Sequence, residues 1–309
     1  MAVAYIFPGL NALIRKSDRN RFSHLPEVQN YFLKAEEIIA ARFEKKISFK
    51  EFLELPTEEI YSIKNISLAA VAICCIQTGV AERLRDKLGQ SPDWVMGCSL
   101  GDLARAVFAG AYSFEDAIFN HIWFTQRIDG IDQIGRNIGV LAPKSEKFEE
   151  QDYAWFAETQ VDVSCLTPRF LNVGGRYEDL KKVEERAREK GWNTMNILDY
   201  PAHSRYILPY VLAVESDFTH VRTYSPQIRI FSSLSAQELT DPKIIKEEFL
   251  LSITRTIHWS EAVQRLVQEK GICKFINVGP CRSLSGLMRD IPVNVETIEA
   301  FEVLEQIHV

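Results

Sequence analysis

The segment DWVMGCSLGDLARAVFAGA, residues 93–111, constrains this 309-residue chain more than any other. A short apolar run of β character ends at Gly97, and helical spacing resumes after Gly101, so the chain must pass from strand to helix through a tight turn carrying Ser99. The same alternation recurs along the chain. VAYIF reads as a strand that stops at Pro8-Gly9, SLAAVAICCIQTGVAERLRDKL has helical periodicity with a charged end, and QIRIFSSL and KFINVG return to buried-strand character. This order predicts an α/β fold with a mainly parallel sheet. At 309 residues the chain is long for a single core and is expected to form about two domains, or one with an insertion.

Residues 134–199 break the rhythm. NIGVLAP, an acidic helical stretch, VDVSCL, RFLNVGG, the charged helix YEDLKKVEERAREKGW and NTMNIL form a β-α-β-β-α-β series, the ferredoxin-like pattern. The expected organisation is an α/β-hydrolase-like catalytic subdomain made of residues 1–133 and 200–309, with a ferredoxin-like small subdomain, 134–199, inserted in it. Composition narrows the function. With 36 basic and 42 acidic residues the net charge is −6, which argues against a general nucleic-acid binder. No uninterrupted apolar run reaches the roughly 18 residues of a membrane span, and the amino terminus lacks the layout of a secretory signal. A soluble, cytoplasmic protein with no membrane partner is expected. The cysteines at 74, 75, 98, 165, 273 and 281 lack CxxC spacing, so no metal site and no disulfide framework is expected.

Gly97-Cys98-Ser99-Leu100-Gly101 fits GxSxG. In that geometry the glycines allow close backbone packing while the serine is held exposed near the positive end of the following helix, placed to attack a carbonyl. The competing reading is a serine that only caps the helix beginning near Leu100. A nucleophile also needs a base. His24, His121, His203, His220, His258 and His308 are available, and residue pattern does not choose among them. His203, in the loop YPAHSRY between a strand and a helical segment, and His258, in TRTIHW, are the leading candidates.

Four ordered stretches together resemble the malonyl-CoA:acyl carrier protein transacylase family, which also supplies the acyltransferase domains of polyketide synthases. GCSLGDLARAVFAGAYSFEDAI resembles its serine segment, YIFPG its opening loop, YPAHSRY its histidine motif and FINVGPCRSLSGLM its late glycine segment. The resemblance covers essentially the whole chain. It implies Ser99 as nucleophile, His203 as base, the backbone N–H groups of Leu10 and Leu100 as an oxyanion hole, and the backbone carbonyl of His258 as the group that orients the histidine. The rival hydrolase-type triad would combine Ser99 with Asp199 and either His258 or His308.

The departures from the family pattern bear on substrate. An arginine that pairs with the malonyl carboxylate in malonyl-type members falls, by a gapless count from Ser99, on Phe124. A carboxylate buried beside a phenyl ring loses that charge-assisted pairing at a cost of several kcal/mol, so malonyl is expected to be rejected. Leu10 and Ile66 stand at or near positions where the family has glutamine, and Leu166 where asparagine is common. With Cys98 and Ala202, these residues are expected to line an acyl pocket for an uncharged group, from acetyl upward. Arg127, one turn beyond Phe124, is the single residue expected to restore carboxylate binding if it turns into the cleft. Asp102 is read as a first-turn acid at the helix amino end.

The resemblance therefore implies a divergent, trans-acting, non-malonyl acyltransferase using a ping-pong acyl-enzyme. No cofactor is bound, and the phosphopantetheine of acyl carrier protein, or coenzyme A in an acyl-CoA, serves as substrate. A thioester hydrolase acting on stalled acyl carrier protein, and a silent carrier-docking module, are the alternatives. Lys181, Lys182, Arg186, Arg188 and Lys190 are a possible docking patch for an acidic carrier or simply a solvated helix.

Overall fold

The computed structural model describes residues 2–127, 130–218 and 221–305. His220 and His308 lie outside the described residues. The main sheet has the order β10-β9-β1-β2-β7-β8, with β1 Ala2–Phe7, β2 Trp94–Gly97, β7 Arg229–Phe231, β8 Glu238–Leu239, β9 Ile272–Asn277 and β10 Glu296–Glu299. All its neighbours are parallel except β7 and β8. Alternation along β1 sends Tyr5 and Phe7 into the core on one face and Ala4 and Ile6 into the core on the other. Strands buried on both faces explain why these runs read as nearly continuous apolar sequence.

The Ile66–Leu88 helix covers one face of the sheet region and is the spine of the larger core. By length and apolarity it is long enough to cross a membrane, contrary to the expectation from apolar runs alone, yet 78% of its most apolar window is buried inside the protein. Its apolar character thus serves the core. Gly79 lets the Pro26–Phe43 helix approach closely, since a Cβ there would stand 2.9 Å from Val28 Cα.

A second, antiparallel sheet of order β4-β5-β3-β6 is built from β3 Gly135–Leu141, β4 Asp162–Thr167, β5 Phe170–Arg176 and β6 Asn193–Leu198. The Glu150–Glu158 helix follows β3 and the Tyr177–Lys190 helix follows β5, which reproduces the β-α-β-β-α-β series. Phe148, Phe156 and Trp192 anchor its separate core.

Candidate active site

Ser99 stands at the end of β2, before the Gly101–Phe108 helix, with φ at 57°. A left-handed serine costs of order 1–3 kcal/mol and persists only where its surroundings fix it. The flanking glycines do so. A Cβ on Gly101 would overlap the Phe7 carbonyl oxygen, and one on Gly97 would collide with the Asp102 amide. The serine does not cap the helix, whose amino end carries no side-chain cap. Its Oγ instead lies 2.7 Å from His203 Nε2.

His203 also has a left-handed backbone, φ 56°, in the loop after β6. Its Nδ1 is 3.0 Å from the carbonyl oxygens of both Ser252 and Arg255. Carbonyls only accept, so Nδ1 carries the proton and donates, leaving Nε2 as the acceptor of the Ser99 hydroxyl proton. Burial pushes the imidazole below its ordinary pKa, partly opposed by these two carbonyls, which favour the charged ring. The loop rests on the antiparallel sheet. Asn137 Nδ2 donates to the Ala202 carbonyl at 2.9 Å and to Asn172 Oδ1 at 3.1 Å, and Gly174 brings β5 close behind that carbonyl.

The expected role of His258 is corrected by this geometry. Its carbonyl accepts from the Ala262 amide, as the first acceptor of the Trp259–Lys270 helix, and its imidazole is on the surface beside Thr256. The position implied by the resemblance lies a few residues beyond the carbonyls that face Nδ1. Asp199 is likewise remote from a triad role, since its carboxylate accepts from Asn196 at an exposed position.

The amides of Leu10 and Leu100 have no intramolecular acceptor among the described residues, as befits the first residue of a short helix and the residue before one. Both residues line the cavity beside Ser99. The loop bearing Leu10 is fixed from several directions. The Tyr61 hydroxyl donates to the Leu10 carbonyl at 2.7 Å, buried Gln77 donates to the Pro8 carbonyl at 2.6 Å, and Gly279 accommodates the Pro8 ring.

Ser99 and His203 open into a cavity of about 420 Å³. Phe124, Ile66 and Ala202 line it, together with Leu10 and Leu100. Phe124 comes from the Phe114–Thr125 helix and meets Phe218 edge-on at 6.2 Å. Two expected lining residues belong elsewhere. Cys98 continues the alternation of Trp94 and Met96 into the core on the other face of the sheet, where burial raises its thiol to about 12. Leu166, on β4, packs against that same core. Arg127 does not turn into the cleft: its guanidinium covers the Trp123 ring and pairs with Asp217 at 3.6 Å.

Asp102 is buried beside the elbow, with its carboxyl raised to about 6 by desolvation and held in check by Arg105 at 3.2 Å. It does more than decorate a helix end. Arg105 also pairs with Glu248 and donates to the Phe231 carbonyl, which ties the serine helix to β7. The basic run on the Tyr177–Lys190 helix is partly neutralised, with Lys182 on Asp179, Arg186 on Glu189 and Lys190 on Asp152.

Sequence reasoning missed the carbonyls of Ser252 and Arg255 and the cavity residues Asn120 and Tyr200. A helical wheel of the Phe114–Thr125 segment places Asn120 on the face of Phe124, a signal that was available; backbone carbonyls carry none.

The chain is similar to known proteins over nearly its whole length. Over 305 residues the chain is 24% identical to the malonyl CoA-acyl carrier protein transacylase of Bacillus subtilis strain 168, covering 96% of this chain and 92% of that protein. It is 26% identical over 298 residues to the polyketide biosynthesis acyltransferase homolog BaeD of Bacillus velezensis, covering 94% and 87% respectively. The fold is that of the malonyl CoA-acyl carrier protein transacylase of Coxiella burnetii, with a TM-score of 0.85 at 19% identity over 99% of this chain and 97% of that one. Residues 25–304 match the acyl transferase domain family, and with the match running from the first long helix to the last, the chain belongs to that family and is an acyltransferase.

Proposed function

We propose that the protein moves an uncharged acyl group between thioesters of coenzyme A and acyl carrier protein, in fatty-acid or polyketide synthesis, through an ester on Ser99. The observation that carries this reading is the 2.7 Å Ser99–His203 contact opening onto a cavity whose wall has Phe124 where a carboxylate-binding cation would stand. The names of relatives such as the Bacillus subtilis transacylase support the carrier and coenzyme A as partners. Six unpaired cysteines support a cytoplasmic setting.

In the proposed reaction His203 Nε2 takes the hydroxyl proton as Ser99 Oγ bonds to the thioester carbonyl carbon. The carbonyl π electrons move to oxygen, and the Leu10 and Leu100 amides receive the oxyanion. Collapse breaks the carbon–sulfur bond, and His203 returns its proton to the departing thiolate. A second phosphopantetheine thiol then attacks the ester in the reverse sense, regenerating Ser99. Residues 134–199 act in this scheme as an inserted unit that backs the histidine loop through Asn137 and Asn172.

The hydrolase alternative shares the first half and ends with water; Phe124 in place of the arginine favours it as much as it favours an uncharged-acyl transferase. The two separate on the lifetime of the ester. An acyl adduct that persists in buffer and moves to holo acyl carrier protein supports transfer. An adduct that decays at the same rate with and without carrier replaces transfer by hydrolysis.

A further inference from the structure

The cavity wall is not uniformly apolar. Asn120 and His121 lie about one turn before Phe124 on the same helix, and Tyr200 approaches from the segment leading into His203; all three line the cavity. Asn120 is only 2% exposed. None of these three side chains has a hydrogen-bond or ion-pair partner among the described residues. Neighbouring Thr125 contrasts with them, since its hydroxyl donates to the carbonyls of His121 and Ile122.

Burial holds the His121 imidazole neutral, its pKa pushed down to about 4, and keeps the Tyr200 phenol protonated, pushed up to about 12. A carboxamide, a neutral imidazole and a phenol each offer both a donor and an acceptor without net charge. Sites that bury such groups discriminate strongly against ligands that leave them unpaired. A plain alkyl chain would suit Phe124, Phe218 and Ile66 but leave the polar wall unmatched. A carboxylate at this wall would not meet Arg127, which is held outside by Asp217 and Trp123, and the two lysines that line the cavity, Lys45 and Lys64, are solvent-exposed.

We propose that the acyl group this cavity selects is oxygenated but uncharged, a hydroxyacyl or ketoacyl chain whose oxygen bonds to Asn120, His121 and Tyr200. This rests on the reading of Ser99 as the acyl acceptor, and it adds the class of acyl group.

The test compares hexanoyl-, 3-hydroxyhexanoyl-, 5-hydroxyhexanoyl- and 3-oxohexanoyl-CoA, equal in carbon count, by the rate of adduct formation in intact-protein mass spectra. At least one oxygenated donor is expected to react tenfold or more faster than hexanoyl. Asn120→Leu, His121→Phe or Tyr200→Phe is expected to bring that ratio within threefold, and Tyr200→Phe removes a single oxygen, so folding is the least disturbed. Titration of the same thioesters into Ser99→Ala by calorimetry reads the preference without the serine's chemistry. A tenfold preference in binding with no adduct on the wild type would refute the acyl-enzyme and keep the polar pocket. Hexanoyl binding as tightly as every oxygenated donor, no binding by any of the four, or a preference that survives all three substitutions would overturn it.

Discussion

Replacing Phe124 by arginine tests the reading of the cavity most sharply among single substitutions. Phe124 lines the same cavity as Ser99, on a helix face shared with Asn120 and His121. A guanidinium there would reach a malonyl carboxylate through two charge-assisted bonds, each contributing about 1.5–3 kcal/mol. Against this stand the partial desolvation of the arginine, costing of order several kcal/mol before pairing, and the lost edge-on contact with Phe218, about 0.5–1.5 kcal/mol. Those two costs are common to both donors and cancel from the malonyl-to-acetyl ratio, so the lower end of the pairing, about 3 kcal/mol, corresponds to about a hundredfold change in that ratio. The assay is the rate of Ser99 acylation by malonyl-CoA and acetyl-CoA in wild type and Phe124→Arg, with thermal unfolding as a control on folding. A malonyl-to-acetyl ratio that stays within about threefold in a folded variant would show that residue 124 does not meet the acyl group.

Further expectations follow from the same geometry. Because burial lowers the His203 pKa below its ordinary 6.5, the base stays neutral at pH 7, and kcat/KM for acylation should fall only as pH drops through a midpoint below 6.5. A midpoint above 6.5 contradicts that environment. Asn137→Ala leaves the buried Ala202 carbonyl without its donor, so a stability loss of about 1–3 kcal/mol and a lower acylation rate with little change in KM are expected from denaturation and steady-state kinetics. Cys98→Ala, which alters the opposite core face, is expected to cost about 1 kcal/mol while leaving the acylation rate within about threefold, measured in the same assays.

The parts of the site that were legible in the sequence are those where local turn chemistry and function coincide. Gly97 and Gly101 are demanded by backbone contact with Asp102 and Phe7, so the elbow is written in its own residues. Pro8 and Gly279 mark each other in the same way, through the packing of a ring against a missing side chain. A gapless count along a turn and a helix reached Phe124 correctly in the cavity. Where the deciding feature was a backbone atom from a distant segment, as with the Ser252 and Arg255 carbonyls, no side chain announced it, and His258 was named in their place. Strand alternation decided the two misplaced pocket residues. Cys98 shares the parity of Trp94 and Met96, which was readable, whereas Leu166 sits beside a register shift between Cys165 and Thr167, which was not.

The most direct test of the account is the mass of the protein after brief mixing with acetyl-CoA and, separately, malonyl-CoA, followed by peptide mapping. The account predicts a single acetyl group on the peptide bearing Ser99, absent in Ser99→Ala, strongly slowed in His203→Ala, and no comparable malonyl adduct. A malonyl adduct forming as fast as the acetyl one would contradict the preference for an uncharged acyl group, and acylation that survives Ser99→Ala would contradict the serine ester itself.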